Sequence, residues 1–403
     1  MKSILKADNV LALTVFLLLV FGLIMITSIG VPKSIQLSAP GVQYPNCGDN
    51  GVDCYLLFKS HLFRLGAGLL AFFVAFWLPS KFWKKISVIF FFAVVVGLVF
   101  VLVGGSGFGT IAKSWVVFAG TSLQPTEFAK LGLILYLAYF FEKKRRSVDD
   151  LAEGFVPFVI MSGLIAVPVL LQPDLGSALV IAIIAVSMYF IAGANFKHIM
   201  AGGLVALLLS IIMVAAIPHV RERFTAFTQV GDECVEDYCW QSQQASIAIG
   251  SGGLFGKGLT QGIQKSYWLP QATDDFIFAA SAEELGFFRI VFIIIAYFMI
   301  SYRGFKIANN ATSTFEMLAA VGVTVWIVMQ AFVNIAVNTA LMPVTGITLP
   351  LVSYGGSSLI ATMIGVGILL SISTETKSHA NFIHRRRDSG THHPKFGRYR
   401  RIY

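Results

Sequence analysis

Apolar residues run along this chain in blocks of roughly 17 to 25, the length that crosses a hydrocarbon core of about 30 Å. The blocks fall at 10–29, 62–77, 86–103, 123–141, 155–171, 175–191, 199–217, 276–300, 317–337 and 351–372. They predict an all-α polytopic membrane protein of ten transmembrane helices. The longest interval that cannot be a membrane helix is 243–286, QQASIAIGSGGLFGKGLTQGIQKSYWLPQATDDFIFAASAEELG. Its six glycines between Gly250 and Gly262 break helix, and Asp274, Asp275, Glu283 and Glu284 gather acid around an apolar run that must enter lipid. Chemistry is expected there.

Composition removes the competing class. A soluble chain of 403 residues would hold two or three domains, but 56% hydrophobic and 13% charged residues exclude that. The first block is too long for a signal-peptide core and lacks a small-residue cleavage site, so it reads as the first span. The net charge of +9 is laid out as a topology would lay it out. With ten spans both termini share one face, which also receives Lys2, Lys6, Lys81, Lys84, Lys85, Lys143, Lys144, Arg145, Arg146, Lys197, Arg303 and Lys306. The positive-inside rule makes that face cytoplasmic, and no nucleic-acid partner is expected. Residues 1–376 form the membrane domain, 218–275 its large extracytoplasmic loop between helices 7 and 8, and 377–403 a basic cytoplasmic tail expected to be disordered and to touch anionic lipid. No internal repeat is visible, which counts against the commoner transporter architectures.

The four cysteines, Cys47, Cys54, Cys234 and Cys239, all lie in loops of the other, oxidising side. Cys47 with Cys54 and Cys234 with Cys239 is the simplest of three pairings, because short loops close easily. Glu127 and Lys130 stand three apart on one helical face after Pro125, which suits a structural ion pair near a cavity. Asp174 follows Pro173 at a tight turn and is placed to cap the next helix. Asn334, Asn338 and Thr339 close the ninth span, and PVTGITLPLVSYGGSSL after it, with Ser353, predicts irregular backbone that must be buried or line a cavity. The segment 218–230, with Arg221 and Arg223 among Phe224 and Phe227, reads as an amphipathic piece of the outer interface. GSGGLFGKG follows no strand and opens no nucleotide-binding helix, so it is not a nucleotide loop. Lys257 and Lys265 with Asp274 and Asp275 make a mixed-charge mouth. Asp275 alone admits a plainer role, capping the eighth span.

The segments SWVVFAGTSLQPTEFAK, QPDLGSA, IAIGSGGLFGKG with LPQATDDFIFAASAEELG, and NTALMPVTGITLPLVSYGGSSL resemble, in order and spacing, the SEDS family of polytopic peptidoglycan glycosyltransferases. The resemblance covers nearly the whole chain. It implies ten spans, and polymerisation of the lipid-linked disaccharide-pentapeptide (lipid II) on the outer face of the bacterial cytoplasmic membrane. The division-type branch is slightly favoured over the elongation type. Asp275, before Phe276, Ile277 and Phe278, inherits the family's catalytic acid, acting as general base in an inverting transfer that expels polyprenyl diphosphate. The family's Leu-Pro-Glu and His-Thr become here Leu269, Pro270 and Gln271, then Thr273 and Asp274, so a second carboxylate stands beside the first.

Where members carry an Arg before the Trp of the second outer loop, this chain has Lys113, Ser114 and Trp115. Where they carry Phe, any residue, Arg, Gln, it has Phe58, Lys59, Ser60 and His61. Lys59 and Lys113, with Arg64, are therefore expected to hold the diphosphate, Lys as a point charge rather than a bidentate fork. A divalent cation, Mg or Mn, is a family-level expectation without assigned ligands; Asp274 with Asp275 is a weak candidate site for it. The implied partners are a class B penicillin-binding transpeptidase and other division or elongation membrane proteins. A flippase for the lipid-linked precursor and a non-catalytic division scaffold are the alternatives.

Overall fold

In the computed structural model, which describes residues 7–39, 46–105, 114–118, 121–228 and 237–388, the apolar blocks are helices. In chain order the elements are α1 (Asn9–Ile29), α2 (Val31–Ser38), α3 (Leu56–Trp77), α4 (Ser80–Gly104), the strands β1 (Val116–Phe118) and β2 (Thr121–Leu123), α5 (Pro125–Lys143), α6 (Val156–Leu171), α7 (Leu175–Ile191), α8 (Phe196–Ala216), α9 (Pro218–Thr228), α10 (Asp237–Gly252), α11 (Ile277–Asn309), α12 (Thr314–Asn338) and α13 (Gly356–Asp388). A π-turn at Leu151–Phe155 leads into α6. Among the described residues, eight helices are long and apolar enough to span a membrane. α7, with 17 residues, and α5, which carries Glu127 and Lys130 inside its apolar run, complete the ten.

Among the boundaries that differ from the sequence pattern, three have a local reason. α3 begins at Leu56 rather than 62, because Lys59, Ser60, His61 and Arg64 occupy its first turns and truncate the apolar window. α13 begins at Gly356 rather than 351, because the chain turns through Tyr354 and Gly355 first. At its far end α13 stays helical to Asp388, into the stretch expected to be disordered, since neither Gly nor Pro interrupts it; residues 389–403 lie outside the described ones. The all-α description gains one antiparallel hairpin, β1 on β2, with Val116 opposite Leu123 and Phe118 opposite Thr121.

The core is built on α5, α12 and α13. Leu131 and Leu133 through Leu135 of α5 are fully buried, as are Trp326 and Ile327 of α12. Lipid tails are as apolar as leucine, so helices associate here through close approach of small residues rather than by escape from water. A Cβ on Gly322 would lie 2.6 Å from Ile134 Cγ2 and 2.8 Å from Met188 Sδ, so α12, α5 and α7 meet where only glycine fits. α8 is the opposite case: it has no buried residue, and Leu204, Leu207, Leu208, Ile211 and Ile212 all face outward.

α11 is continuous in register but broken in conformation. Gly286 holds φ 75° and ψ 174°, and the helix resumes beyond it. The break frees two carbonyls and two amides, and the glycine-rich loop satisfies them. Lys257 N donates to Glu283 O at 3.0 Å and Gly258 N to Glu284 O at 2.9 Å, while Phe287 N and Phe288 N donate to Gly253 O and Leu254 O at 2.9 and 3.2 Å. The two backbones touch: a Cβ on Gly256 would sit 2.2 Å from Glu284 O, and one on Gly286 2.2 Å from Gly256 N. Residues 277–284 are buried in protein, whereas Phe287, Phe288, Phe292 and Phe298 are exposed. The lipid-facing part of the eighth span therefore starts after the break, about ten residues later than the sequence pattern gave.

Candidate active site

α11 opens with a short buried half, and Asp275 stands one residue before its N-cap, Phe276. Asp275 does not cap the helix. Phe276 makes no side-chain cap bond, and the amide of Ala279 is taken by Asn338 Oδ1 at 2.9 Å. Asn338 Nδ2 in turn donates to Asp275 O at 2.9 Å, and Asn334 Nδ2 to Asp275 O and Ile347 O, both at 2.7 Å. The two asparagines, one turn apart on α12, thus fix the Asp275 backbone from below. Its carboxylate is left free: it accepts no hydrogen bond from the described residues, and faces Gly346, whose added Cβ would lie 3.8 Å from Asp275 Oδ2.

The irregular segment after α12 completes the seat. Ser353 Oγ donates to Asp274 O at 2.5 Å, and Tyr354 N to Thr273 O at 3.0 Å. Ala340, Gly346 and Leu351 all hold positive φ, at 55°, 73° and 67°, so the chain is held in sparsely populated conformations where it lines the site. Arg64, on the exposed-facing turn of α3, lays its guanidinium over the Tyr354 ring, 4.3 Å from the centroid. It lies one turn on from Ser60, on the face where the family pattern has Arg, and makes no ion pair among the described residues.

Burial pushes the Asp275 carboxyl up to about 7, aided by the charges of Asp274 and Asp174 and opposed by those of Lys33 and Arg223. Lys33 of α2 and Arg223 of α9 went unnoticed in the sequence as parts of this site. Lys33 Nζ lies 2.6 Å from Asp274 Oδ2 and 3.0 Å from Gln271 Oε1. Only the shared departure of Gln271 and Asp274 from the family pattern could have signalled that a cation from elsewhere would meet them.

Beneath the site runs a second polar layer. Lys130 Nζ, fully buried, lies 2.8 Å from Glu127 Oε1 and 2.7 Å from Gln330 Oε1. Gln330 also accepts from Trp326 Nε1 at 2.8 Å and donates to Thr348 O at 3.1 Å, which ties the pair to the irregular segment. Asp174 caps α7, accepting from Ser177 N at 2.9 Å, and burial raises its carboxyl above the usual range. Trp115 precedes β1, and the hairpin is tied to α13 by Gln124 N donating to Ser357 Oγ at 2.9 Å.

Several expected cations are committed elsewhere. Lys257 lies 2.7 Å from Glu283 Oε1 and Lys265 2.6 Å from Glu284 Oε1, with both carboxylates fully buried. Glu283 further accepts from Ile263 N and Gln264 N, at 2.9 and 3.0 Å. The two lysines therefore neutralise buried acid and close the glycine loop. Lys59 is paired with Asp53 at 2.7 Å and its side chain is 66% exposed, whereas Arg64 lies over Tyr354. Lys113 lies outside the described residues. Cys47 and Cys54 are bonded, with Cα atoms 5.7 Å apart; Cys239 is disulfide-bonded, and Cys234 lies outside the described residues.

Asp274 and Asp275 do not form a dedicated metal cage. One carboxylate is taken by Lys33 and Thr273, the latter at 3.0 Å. Among the described residues no three His, Cys, Asp or Glu side chains converge.

Comparison with known proteins adds the relatives. A family model described as cell cycle protein, FtsW/RodA/SpoVE, matches residues 8–378. The chain is 36% identical over 372 residues to the probable peptidoglycan glycosyltransferase FtsW of Trichlorobacter lovleyi, covering 92% of this chain and 94% of that one. It is also 36% identical to the stage V sporulation protein E of Bacillus subtilis, with 91% and 96% covered. Among solved structures it is similar to a chain of a peptidoglycan synthase complex, with TM-score 0.73, 27% identity, and 91% and 97% covered. A second is the rod shape determining protein RodA of Thermus thermophilus, with TM-score 0.64, 28% identity, and 91% and 96% covered. The chain belongs to the FtsW/RodA/SpoVE family.

Proposed function

We propose that this polytopic membrane protein is a peptidoglycan glycosyltransferase that polymerises lipid II at the outer face of the cytoplasmic membrane, with both termini on the cytoplasmic side. The observation that carries the reading is Asp275: an ordered backbone, an open carboxylate, and a protonation midpoint near neutrality. A general base works best when its pKa lies near the operating pH. The relatives named as peptidoglycan glycosyltransferases support the enzyme reading over a flippase or a scaffold.

In the proposed step an acceptor sugar hydroxyl oxygen attacks the donor anomeric carbon from the face opposite the diphosphate. One carbon–oxygen bond forms as the bond to the diphosphate oxygen breaks, with inversion; the hydroxyl proton passes to Asp275 and the electron pair leaves on polyprenyl diphosphate. Arg64, which lies over the Tyr354 ring, is assigned to bind that leaving group, as a planar fork able to hold two of its oxygens. Lys113 and Trp115 remain assigned to the same subsite by motif alone. An Mg2+ or Mn2+ ion accompanying the diphosphate would supply charge neutralisation, and the donor set described above provides no cage for it, so no step runs through it.

The similarity to a chain of a synthase complex that couples polymerization and crosslinking supports a class B penicillin-binding transpeptidase as partner. The predominance of FtsW among the named relatives supports the division branch. The deciding experiment presents lipid II to the purified protein, alone and with its transpeptidase. Glycan polymer from wild type and none from Asp275→Asn is expected; no polymer under either condition, or full activity of the variant, would overturn the reading.

A further inference from the structure

α2 is a short helix laid between the first span and the disulfide loop, and it is anchored on both flanks. Ser34 Oγ accepts from Leu57 N at 3.1 Å, which ties α2 to the start of α3, and Ser38 Oγ accepts from Asp53 N at 3.0 Å, beside Cys54. The Cys47–Cys54 bond closes the loop that joins them. Ser34 also returns a bond to Gly30 O at 2.7 Å, fixing α2 to the end of α1. The one long side chain that this frame extends over the Asp275 turn is that of Lys33.

Lys33 meets two side chains, Asp274 at 2.6 Å and Gln271 at 3.0 Å. They are the residues at which this chain departs from the family pattern in the turn before Asp275. The amide of Gln271 offers Lys33 an acceptor without adding charge; a carboxylate there would make three acids around one ammonium. Asp274, by contrast, brings a carboxylate directly next to Asp275. Backbone geometry couples the same residues: Asp274 N and Phe276 N both donate to Gln271 O, at 3.0 and 3.2 Å, with Asp275 between them, so a pull on Gln271 or Asp274 is a pull on the turn that carries Asp275.

We propose that Lys33 is a positioning residue of the catalytic turn: its ammonium neutralises Asp274 and, through Asp274 and Gln271, fixes the turn from which Asp275 reaches the acceptor sugar. Lys33, Gln271 and Asp274 then form one unit at the two positions where this chain departs from the family's Glu and Thr. The inference rests on the glycosyltransferase reading, and on Asp275 as its base.

The charges facing Asp275 are Asp274 on its own turn, Lys33 from α2, Asp174 from the start of α7 and Arg223 from α9. Lys33 is bound to the nearest of them. Removing it leaves Asp274 without its ion-pair partner, with only Arg223 opposing the acids around Asp275, and two adjacent carboxylates so placed hold a proton to higher pH. Removing Asp274 as well takes away the cause.

The test is the pH profile of glycan polymerisation by wild type, Lys33→Met, Lys33→Arg, Asp274→Thr and the Lys33→Met/Asp274→Thr double variant, each in complex with the transpeptidase. In Lys33→Met the acid limb moves up by about one pH unit while the alkaline plateau keeps most of its rate. In Asp274→Thr it moves down, and the double variant returns toward wild type. Lys33→Arg keeps the wild-type limb. A Lys33→Met limb that does not move, or a double variant that behaves as the sum of two independent losses, overturns the inference. Lack of polymer from wild type would instead overturn the glycosyltransferase reading, so the two failures are distinct. Thermal melting of every variant in detergent separates a shifted limb from a protein that has not folded.

Discussion

Replacing Asp275 by Asn should abolish polymerisation and yet make the protein more stable above neutral pH. The carboxyl rises from 3.8 to about 7 on folding, so the folded state binds its proton more tightly than the unfolded chain does. A group raised in this way stabilises the fold fully below pH 3.8; that contribution is lost as pH rises, and the loss is complete above about 7. At about 1.4 kcal/mol per unit the full penalty is about 4 kcal/mol. Asp275 is only partly buried, so solvent screens part of this and about 2 kcal/mol is the magnitude to test. Asn keeps the shape and carries no charge. The assay is thermal melting in detergent, wild type against Asp275→Asn, from pH 4 to pH 9. The melting temperatures should coincide near pH 4, separate in favour of the variant between pH 5 and 7, and remain a constant distance apart above that. Equal melting temperatures at pH 8, or a gap that does not depend on pH, would refute the argument that burial and neighbouring charge raise this carboxyl.

Three other perturbations probe the layers around it. Lys130→Met leaves Glu127 buried without its cation and should cost about 3–5 kcal/mol, whereas Glu127→Gln combined with Lys130→Met should recover much of that, both read by detergent melting. Asn338→Ala removes the bond to Ala279 N and one of the two holding Asp275 O, at about 1–3 kcal/mol, and should lower the polymerisation rate more than the affinity for lipid II. Gly256→Ala places a Cβ 2.2 Å from Glu284 O in a backbone with φ 79°, so it should unseat the glycine loop and abolish activity; proteolysis of the intact protein in detergent should find new cleavage near that loop.

Much of the fold was legible because membrane spans are written in single-residue hydropathy, and ten blocks became ten helices. Two of the exceptions share one cause: a polar residue satisfied by protein looks, in a window average, like the end of a span. Lys59, Ser60, His61 and Arg64 hid the start of α3 in this way, and Glu127 with Lys130 made α5 the least apolar of the ten. The break at Gly286 was not legible. Glycine is compatible with a span, and only the approach of a second backbone, from residues far away in the chain, makes this one a corner. Pairing of charges was legible within a helix turn, as for Glu127 with Lys130, and not across the fold. Lys257 and Lys265 were read as a mouth because the acids that take them, Glu283 and Glu284, sit on the buried face of α11, a direction that sequence spacing alone does not give.

The glycine-rich loop therefore acts on the site without touching it. A helix running unbroken from Ile277 to Asn309 would be about 50 Å long, well beyond the hydrocarbon core of about 30 Å. Its surplus turns need partners for their polar groups wherever water is excluded. The loop supplies them at the break, with amides for Glu283 O and Glu284 O and carbonyls for Phe287 N and Phe288 N. Lys257 and Lys265 then neutralise the two glutamates that the buried half turns inward. That half is held from one side by the loop and from the other by Asn334 and Asn338, whose side-chain amides bond the Asp275 carbonyl and, for Asn338, the Ala279 amide.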